Sequence, residues 1–290
     1  MSASLTHRAT RTLFTLLGGT LLYALSGAYR FRVSREAVPL RGLTTPLRVV
    51  QLSDLHYGNF IGARTVRRWV DAVLQEQPEL IVITGDFLDS GMGLRRKDQL
   101  LRELARLSAP LGVYAVYGNH DWTSLNTQAA RASFARRLEE VGIQVINNAG
   151  VQLRPDLYLA GTDDWWFGNQ DTAAMMAGYQ GGAALLLSHN PDFLPNVPPQ
   201  ISLTLCGHTH GGQVQLPLLG AVKRASLYGT RFLEGWVNTA PAQPSAADGS
   251  IPRTPPRTIR GYISHGLGVT GVPLRLACPA ELTVFDFGLS

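Results

Sequence analysis

The sequence predicts an α/β protein built on a mainly parallel, helix-covered sheet. Short apolar runs alternate with segments of helical spacing, the connections between them are short, and one apolar run after another ends in Asp, Asn or His. With 290 residues, 45% of them hydrophobic and 16% charged, the chain can bury a sizeable core, so disorder is not its default.

The N-terminal stretch "LFTLLGGTLLYALSGAY" (13–29) runs for 17 residues without a charge between Arg8 and Arg11 on one side and Arg30 and Arg32 on the other. That length is at the short end for crossing a bilayer. A membrane anchor in residues 1–30 is expected, which places the chain at the cell membrane by a single pass. The alternatives are a signal segment cut near "ALSGA", followed by export, or a buried helix. Flanking arginines stand on both sides, so the membrane side stays open. Residues 31–46 read as a linker or a first edge strand, and 47–290 as one domain.

Within that domain "LRVVQLS" (47–53) is a buried strand, and Val66, Trp69, Val70, Val73 and Leu74 lie at helical spacing until Pro78. "ELIVITG" (79–85) is a second strand, and Leu100, Leu101, Leu104 and Leu107 mark a helix closed by Pro110. "GVYAVYG" (112–118) is a third strand, followed by a helix over 127–141. The second half has shorter strands and fewer helices: "DLYLAG" (156–161), "ALLLSH" (184–189) and "ISLTLCG" (201–207), then order again in "GYISHGLG" and "ELTVFDF". Residues 238–257 are rich in Pro, Ala and Ser and read as a flexible insertion.

The formal net charge is +5, and 24 of the 26 basic residues are arginine. Guanidinium groups suit phosphate, although genomic base composition explains the same bias. No long basic run occurs, so a nucleic-acid partner is not expected, and a monomer is. Cys206 and Cys278 make no CxxC and read as core residues.

The strand ends carry the chemistry. They read Asp54–Leu55–His56, Gly85–Asp86, Gly118–Asn119–His120–Asp121, Ser188–His189–Asn190 and Gly207–His208–Thr209–His210. In an open α/β sheet these ends line the crevice where ligands bind. In an extended segment residues i and i+2 point the same way, which pairs Asp54 with His56 and His208 with His210. Glycines at 85, 118 and 207 permit sharp turns and close backbone approach. Four His, one Asn and two Asp exceed the needs of one tetrahedral site, and mixed imidazole and carboxylate ligation suits Zn²⁺, Mn²⁺ or Fe. Two divalent metal ions are therefore expected, with Asp86 as the natural bridge. Ions about 3.5–4 Å apart can hold a hydroxide for in-line attack on phosphorus.

"SDLHYG", "GDFLD", "YGNHDW", "SHNPDF" and "GHTHGGQ", in this order, resemble the calcineurin-like metallophosphoesterases, and most of all bacterial membrane-associated or exported phosphodiesterases of that type. The resemblance covers 47–290 and implies a four-layer α/β/β/α sandwich of two mixed sheets. It implies Asp54, His56 and His210 on one metal, Asn119, His189 and His208 on the other, and Asp86 between them. It implies further that His120 faces the substrate and protonates the leaving group, oriented by a hydrogen bond that it donates to Asp89. His265 stands where the family tends to carry an arginine, and Asp163, Asp164, Trp165 and Trp166 form a loop that either walls the substrate groove or packs.

Ser90, where protein phosphatases of this superfamily carry arginine, and GNHD in place of GNHE point to a phosphodiester or pyrophosphate substrate. The apolar N-terminus favours a lipid-linked or membrane-proximal one. The rival readings are a non-catalytic, membrane-tethered metal-binding module of the same fold and a soluble nuclease.

Overall fold

The computed structural model describes residues 18–89, 96–241 and 257–289. The apolar runs become strands, and they sort into two sheets of six rather than one. The first holds β1 (Phe31–Pro39), β2 (Leu47–Leu52), β3 (Leu80–Thr84), β4 (Val113–Val116), β5 (Ile143–Val145) and β14 (Ala280–Gly288), in the order β1-β14-β2-β3-β4-β5. β2 to β5 are parallel, while β14 runs antiparallel to β2 and parallel to β1. The second holds β6 (Ala149–Arg154), β7 (Leu157–Gly161), β8 (Ala183–Leu187), β9 (Leu203–Cys206), β12 (Gly235–Thr239) and β13 (Ile259–Ile263), in the order β12-β13-β9-β8-β7-β6. Its four inner strands are parallel, and both edge strands are antiparallel to their neighbours. β10 (Gln215–Leu216) and β11 (Gly220–Ala221) make a separate small hairpin.

Three apolar clusters separate the layers. Val49, Val82 and Phe285 of the first sheet meet Leu159, Leu185 and Leu205 of the second in the central core. Strands buried on both faces read as continuous apolar runs, which is why β3 ("LIVIT") and β8 ("AALLL") were legible. Outside the first sheet lie α2 (Ala63–Gln75), α3 (Lys97–Leu104) and α5 (Gln128–Glu140). α2 buries Val66, Trp69, Val70 and Val73 at helical spacing, and Thr127 caps α5 by accepting from the Ala130 amide. The outer layer of the second sheet is thinner: α6 (Thr172–Met176) and the 3-10 turn Pro191–Asn196 cover it through Met175, Phe193 and Leu194.

Several expectations are corrected. Of the two readings of 31–46, the first edge strand holds over Phe31–Pro39, paired residue by residue with β14, and a linker is left only after residue 39. Asn238 and Thr239, placed in the insertion, belong to β12, where Asn238 pairs with Arg260; residues 242–256 lie outside the described residues. β6 and β12 escaped notice because they are partly exposed edge strands without a clean apolar run. Of the apolar N-terminus, the described part is a helix over 18–27, here α1. No helix among the described residues is long and apolar enough to cross a membrane, and residues 13–17 lie outside them.

Candidate metal centre

The ligand-type residues follow the C-terminal ends of β2, β3 and β4 in one sheet and of β8 and β9 in the other. The crevice therefore spans the rims of two sheets rather than the rim of one. The residues are not in extended segments. Asp54, His56, Asp86, His208 and His210 all hold left-handed backbone, with φ of 53, 44, 55, 73 and 54°. Such a conformation costs a non-glycine residue about 1–3 kcal/mol and persists where surrounding structure enforces it. It also undoes the alternation rule: His208 and His210 diverge to different clusters, while Asp54 and His56 stay together.

One cluster joins Asp54, His56 and His210, whose ligand atoms lie within 4.8 Å of one another. His56 Nε2 is 3.0 Å from His210 Nε2, and His210 Nε2 is 3.4 Å from Asp54 Oδ1. The second joins Asn119, His189 and His208: Asn119 Oδ1 is 3.0 Å from His189 Nε2 and 2.8 Å from His208 Nδ1. Asp86 Oδ2 touches both, at 3.4 Å from His56 Nε2 and 3.3 Å from His189 Nε2. Its other oxygen accepts from the His120 amide at 2.8 Å, which aims the bridging oxygen inward.

Backbone contacts set the rest. His189 Nδ1 is 2.7 Å from the Thr84 carbonyl; donating there leaves Nε2 as the free lone pair. Ser53 Oγ donates to Asp54 Oδ2 at 2.5 Å. Gly85 takes φ of +89°, and a Cβ on it would meet the His189 ring nitrogen at 2.7 Å. Gly118 needs no left-handed φ, but a Cβ there would collide with Asp86 Oδ1 and the His189 ring. Of the two, only Gly85 is needed for a turn; Gly118 serves close approach.

All seven residues are buried. Burial pushes Asp54 up to about 6 and His56 down to about 3. Burial also opposes the charge on Asp86, but the neighbouring imidazoles, His189 first, hold it well below the carboxylate range. Burial lowers His189, yet the Asp86 carboxylate outweighs it and raises the imidazole to about 10. This donor set fits two cations. Two imidazole nitrogens 3.0 Å apart share room for one proton at most, and the carboxylates beside them favour positive charge.

His120 is the second residue of α4 (Asn119–Ser124), a short helix not foreseen in the sequence. Its ring stands edge-on to His56 with centroids 4.7 Å apart, and it is the most exposed of the site imidazoles. Nδ1 lies 3.9 Å from Asp89 Oδ1, which is ion-pair reach and longer than the expected hydrogen bond. Asp121 does not face the site: it accepts from the amides of Gly118 at 3.0 Å and Leu88 at 3.1 Å, and burial lifts it to about 7. The fourth residue of GNHD is thus structural. Ser90 lies outside the described residues.

The aromatic loop divides. Asp163 and Asp164 organise it, Asp163 accepting from Trp122 Nε1 at 3.1 Å and Asp164 from the amides of Trp166 and Phe167 at 2.9 Å. Trp165 packs on Phe193, whereas exposed Trp166 stands edge-on to His208 at 4.4 Å. His265 is withdrawn from the metal ligands, its Nε2 3.2 Å from Glu234 and its Nδ1 3.5 Å from Glu281. Arg275 was missed. Its buried guanidinium lies 3.3 Å from His210 Nδ1 and donates to the carbonyls of His265, Gly266 and Gly268, the last at 2.7 Å. That loop in turn holds Asp54 through the Gly268 amide, which donates to the Asp54 carbonyl. Nothing in "PLRLAC" marks such a role.

The sequence matches the calcineurin-like phosphoesterase family over residues 47–212, more than half of the chain and the stretch holding all nine site residues. The chain belongs to that family. This calcineurin-like phosphoesterase is 29% identical over 244 residues to the metallophosphoesterase YkuE of Bacillus subtilis, covering 82% of this chain and 78% of that protein. It is 32% identical over 181 residues to the phosphodiesterase YaeI of Escherichia coli, covering 60% of this chain and 64% of YaeI. A zebrafish (Danio rerio) transmembrane protein with a metallophosphoesterase domain is 28% identical over 82% of this chain and 52% of its own length. Among solved structures, a dimetal phosphatase from Danio rerio aligns with a TM-score of 0.41 at 12% identity, over 78% of this chain and 89% of that one.

Proposed function

We propose that this calcineurin-like phosphoesterase is a two-metal phosphodiesterase or pyrophosphatase acting on a membrane-proximal substrate. The observation that carries the reading is Asp86, one oxygen of which lies between the two imidazole clusters. Asp54, His56 and His210 would hold one divalent cation, Asn119, His189 and His208 the other, and Asp86 both; Mn²⁺, Zn²⁺ or Fe suits the donor set. When bound, such ions acidify water and neutralise charge on phosphoryl oxygens.

The chain's own residues do the remaining work. His120 is exposed enough to meet a substrate and close enough to the clusters to give a proton to the leaving alkoxide. The Asp89 carboxylate, 3.9 Å from His120 Nδ1, is a positioning residue. Trp166 presents an aromatic wall beside His208 for the substrate's organic group. The similarity to YaeI, a phosphodiesterase by name, favours a diester over a monoester. Anchorage by residues 13–29 places the enzyme at the cell membrane.

A binding module of the same fold would be expected to lack a ligand or His120, and this chain keeps every one. The test is hydrolysis of bis-p-nitrophenyl phosphate by the full chain, metal-free and Mn²⁺-loaded, with His120→Ala alongside. Turnover should require metal, and the variant should lose about 10²–10⁴-fold in kcat while retaining its metal. Two bound ions with no turnover would sink the reading and favour the binding module.

A further inference from the structure

Beside the metal centre lies a cleft of about 240 Å³ with His208 and His210 at its floor and Val214, Val222, Lys223 and Val272 in its walls. The β10–β11 hairpin grows directly out of that wall, since Val214 precedes β10 and Val222 follows β11. Its tip, Pro217–Leu218–Leu219, stands three to five residues from Val214, so it projects at most about 17 Å from the cleft.

The tip is built in the wrong way for contact with water. Leu218 is fully exposed at 107% and also holds a left-handed φ of 66°, while Leu219 and Leu227 are 73% and 80% exposed. Val222 and Val272 continue the apolar surface to the cleft mouth. The segment is nonetheless held in place. The Gln215 amide donates to Leu276, the Val222 amide donates to Val214, and the Leu227 amide and Ser226 hydroxyl donate to buried Asp192. A strained, exposed and anchored leucine tip calls for a partner.

The same segment ties this hairpin to the N-terminus. Leu276 pairs with the hairpin base, and the adjacent Arg275 amide donates to the Ala24 carbonyl of α1 at 3.0 Å. Leu21 and Leu22 of α1 are exposed, and the apolar stretch continues upstream through residues 13–17. The base of the hairpin and α1 are therefore joined through two adjacent residues, Arg275 and Leu276. Lys223 and Arg224, both exposed, follow the hairpin directly after Val222.

We infer that the β10–β11 hairpin is a bilayer-docking lip, with Leu218 and Leu219 inserted among acyl chains and Lys223 and Arg224 at anionic headgroups. The occupant is the lipid surface rather than a second copy of this chain, because a two-fold pairing of this patch would bring the two basic pairs together. Docked in this way, the apolar cleft opens at the membrane plane, and an amphiphilic phosphodiester reaches the metal centre without leaving the bilayer. This deepens the proposed function and rests on it for the identity of the chemistry alone.

The test uses the full chain with Leu218→Cys carrying an environment-sensitive fluorophore; the native Cys206 and Cys278 are buried and stay unlabelled. Ser133→Cys on α5 is the control. Vesicles contain phosphatidylcholine and phosphatidylglycerol, with or without acyl-chain spin labels. The label at 218 should brighten at least about twofold and be quenched by the spin labels, and the label at 133 should do neither. Exchange of phosphatidylglycerol for phosphatidylcholine alone should weaken the signal. A water-exposed label at 218 on vesicle-bound protein overturns the lip, as does protein that ignores the vesicles. Brightening with concentration in the absence of lipid overturns it in favour of self-association. Hydrolysis of bis-p-nitrophenyl phosphate by the same samples separates these failures from failure of the catalytic reading.

Discussion

At the scale of single residues, Asp86 concentrates the most consequence. Replacing it with asparagine keeps the shape but removes the charge that would offset two cations. Asp86→Asn should lower both metal content and diester turnover, the latter by at least about a hundredfold, the upper range for loss of even an outer-shell partner. Metal analysis beside a turnover assay checks this, and an active, fully loaded variant would refute the bridge. Trp166 is exposed beside His208, and its proposed role is in substrate binding. Trp166→Ala should raise KM several-fold with kcat and metal content unchanged, since it removes an interaction made equally before and during reaction. A fall in kcat with KM constant would instead place the indole at the reacting atoms.

Among elements, the turns after β2, β3, β4, β8 and β9 do the positioning, and they have little room to change. Gly118→Ala would drive a methyl into Asp86 Oδ1 and the His189 ring. Overpacking of this kind costs about 1–3 kcal/mol, so thermal unfolding should fall by several degrees and metal affinity with it. A different tie joins the segment before β2 to the second sheet. Asp156 accepts from the Thr44 amide at 2.8 Å, the Thr44 hydroxyl at 2.9 Å and the Thr45 amide at 3.0 Å, while Arg154 Nε donates at 2.9 Å. Burial alone would raise this carboxyl, yet these donors, the Thr44 amide foremost, bring it down to about 2. The folded value lies below the unfolded one of about 3.9, so the stabilisation is complete above that pH and is lost as pH falls towards 2. Asp156→Asn should therefore flatten the acid limb of the urea midpoint between those limits, and an unchanged limb would refute the assignment.

For the molecule as a whole, the centre joins two sheets that otherwise meet through the apolar core. Ligand-type residues follow β2, β3 and β4 on one side and β8 and β9 on the other, so cations held by them would link sheet packing to catalysis. Cations present at a thousandfold over their dissociation constant stabilise a fold by about 4 kcal/mol per site. A chelator should lower the melting temperature of the wild type and leave Asp86→Asn nearly unmoved; equal shifts would show that the ions do not bind where the clusters lie.

The residue types, their order and their places after strands were all legible in the linear sequence, because buried strands leave apolar runs and the ligands interrupt them abruptly. That information carried the α/β class, the expectation of two ions, and the expected places of seven ligand-type residues and His120. Periodicity has no means of reporting left-handed backbone, however: alternation paired His208 with His210, whereas the fold sends them to different clusters, the division that the family resemblance implied. Partnership across sheets is likewise a matter of distance in space. Arg275 beneath His210, the second sheet's share of the crevice, Asp121 as a backbone cap and the exposed leucines at the cleft mouth were decided there, by packing between segments far apart along the chain.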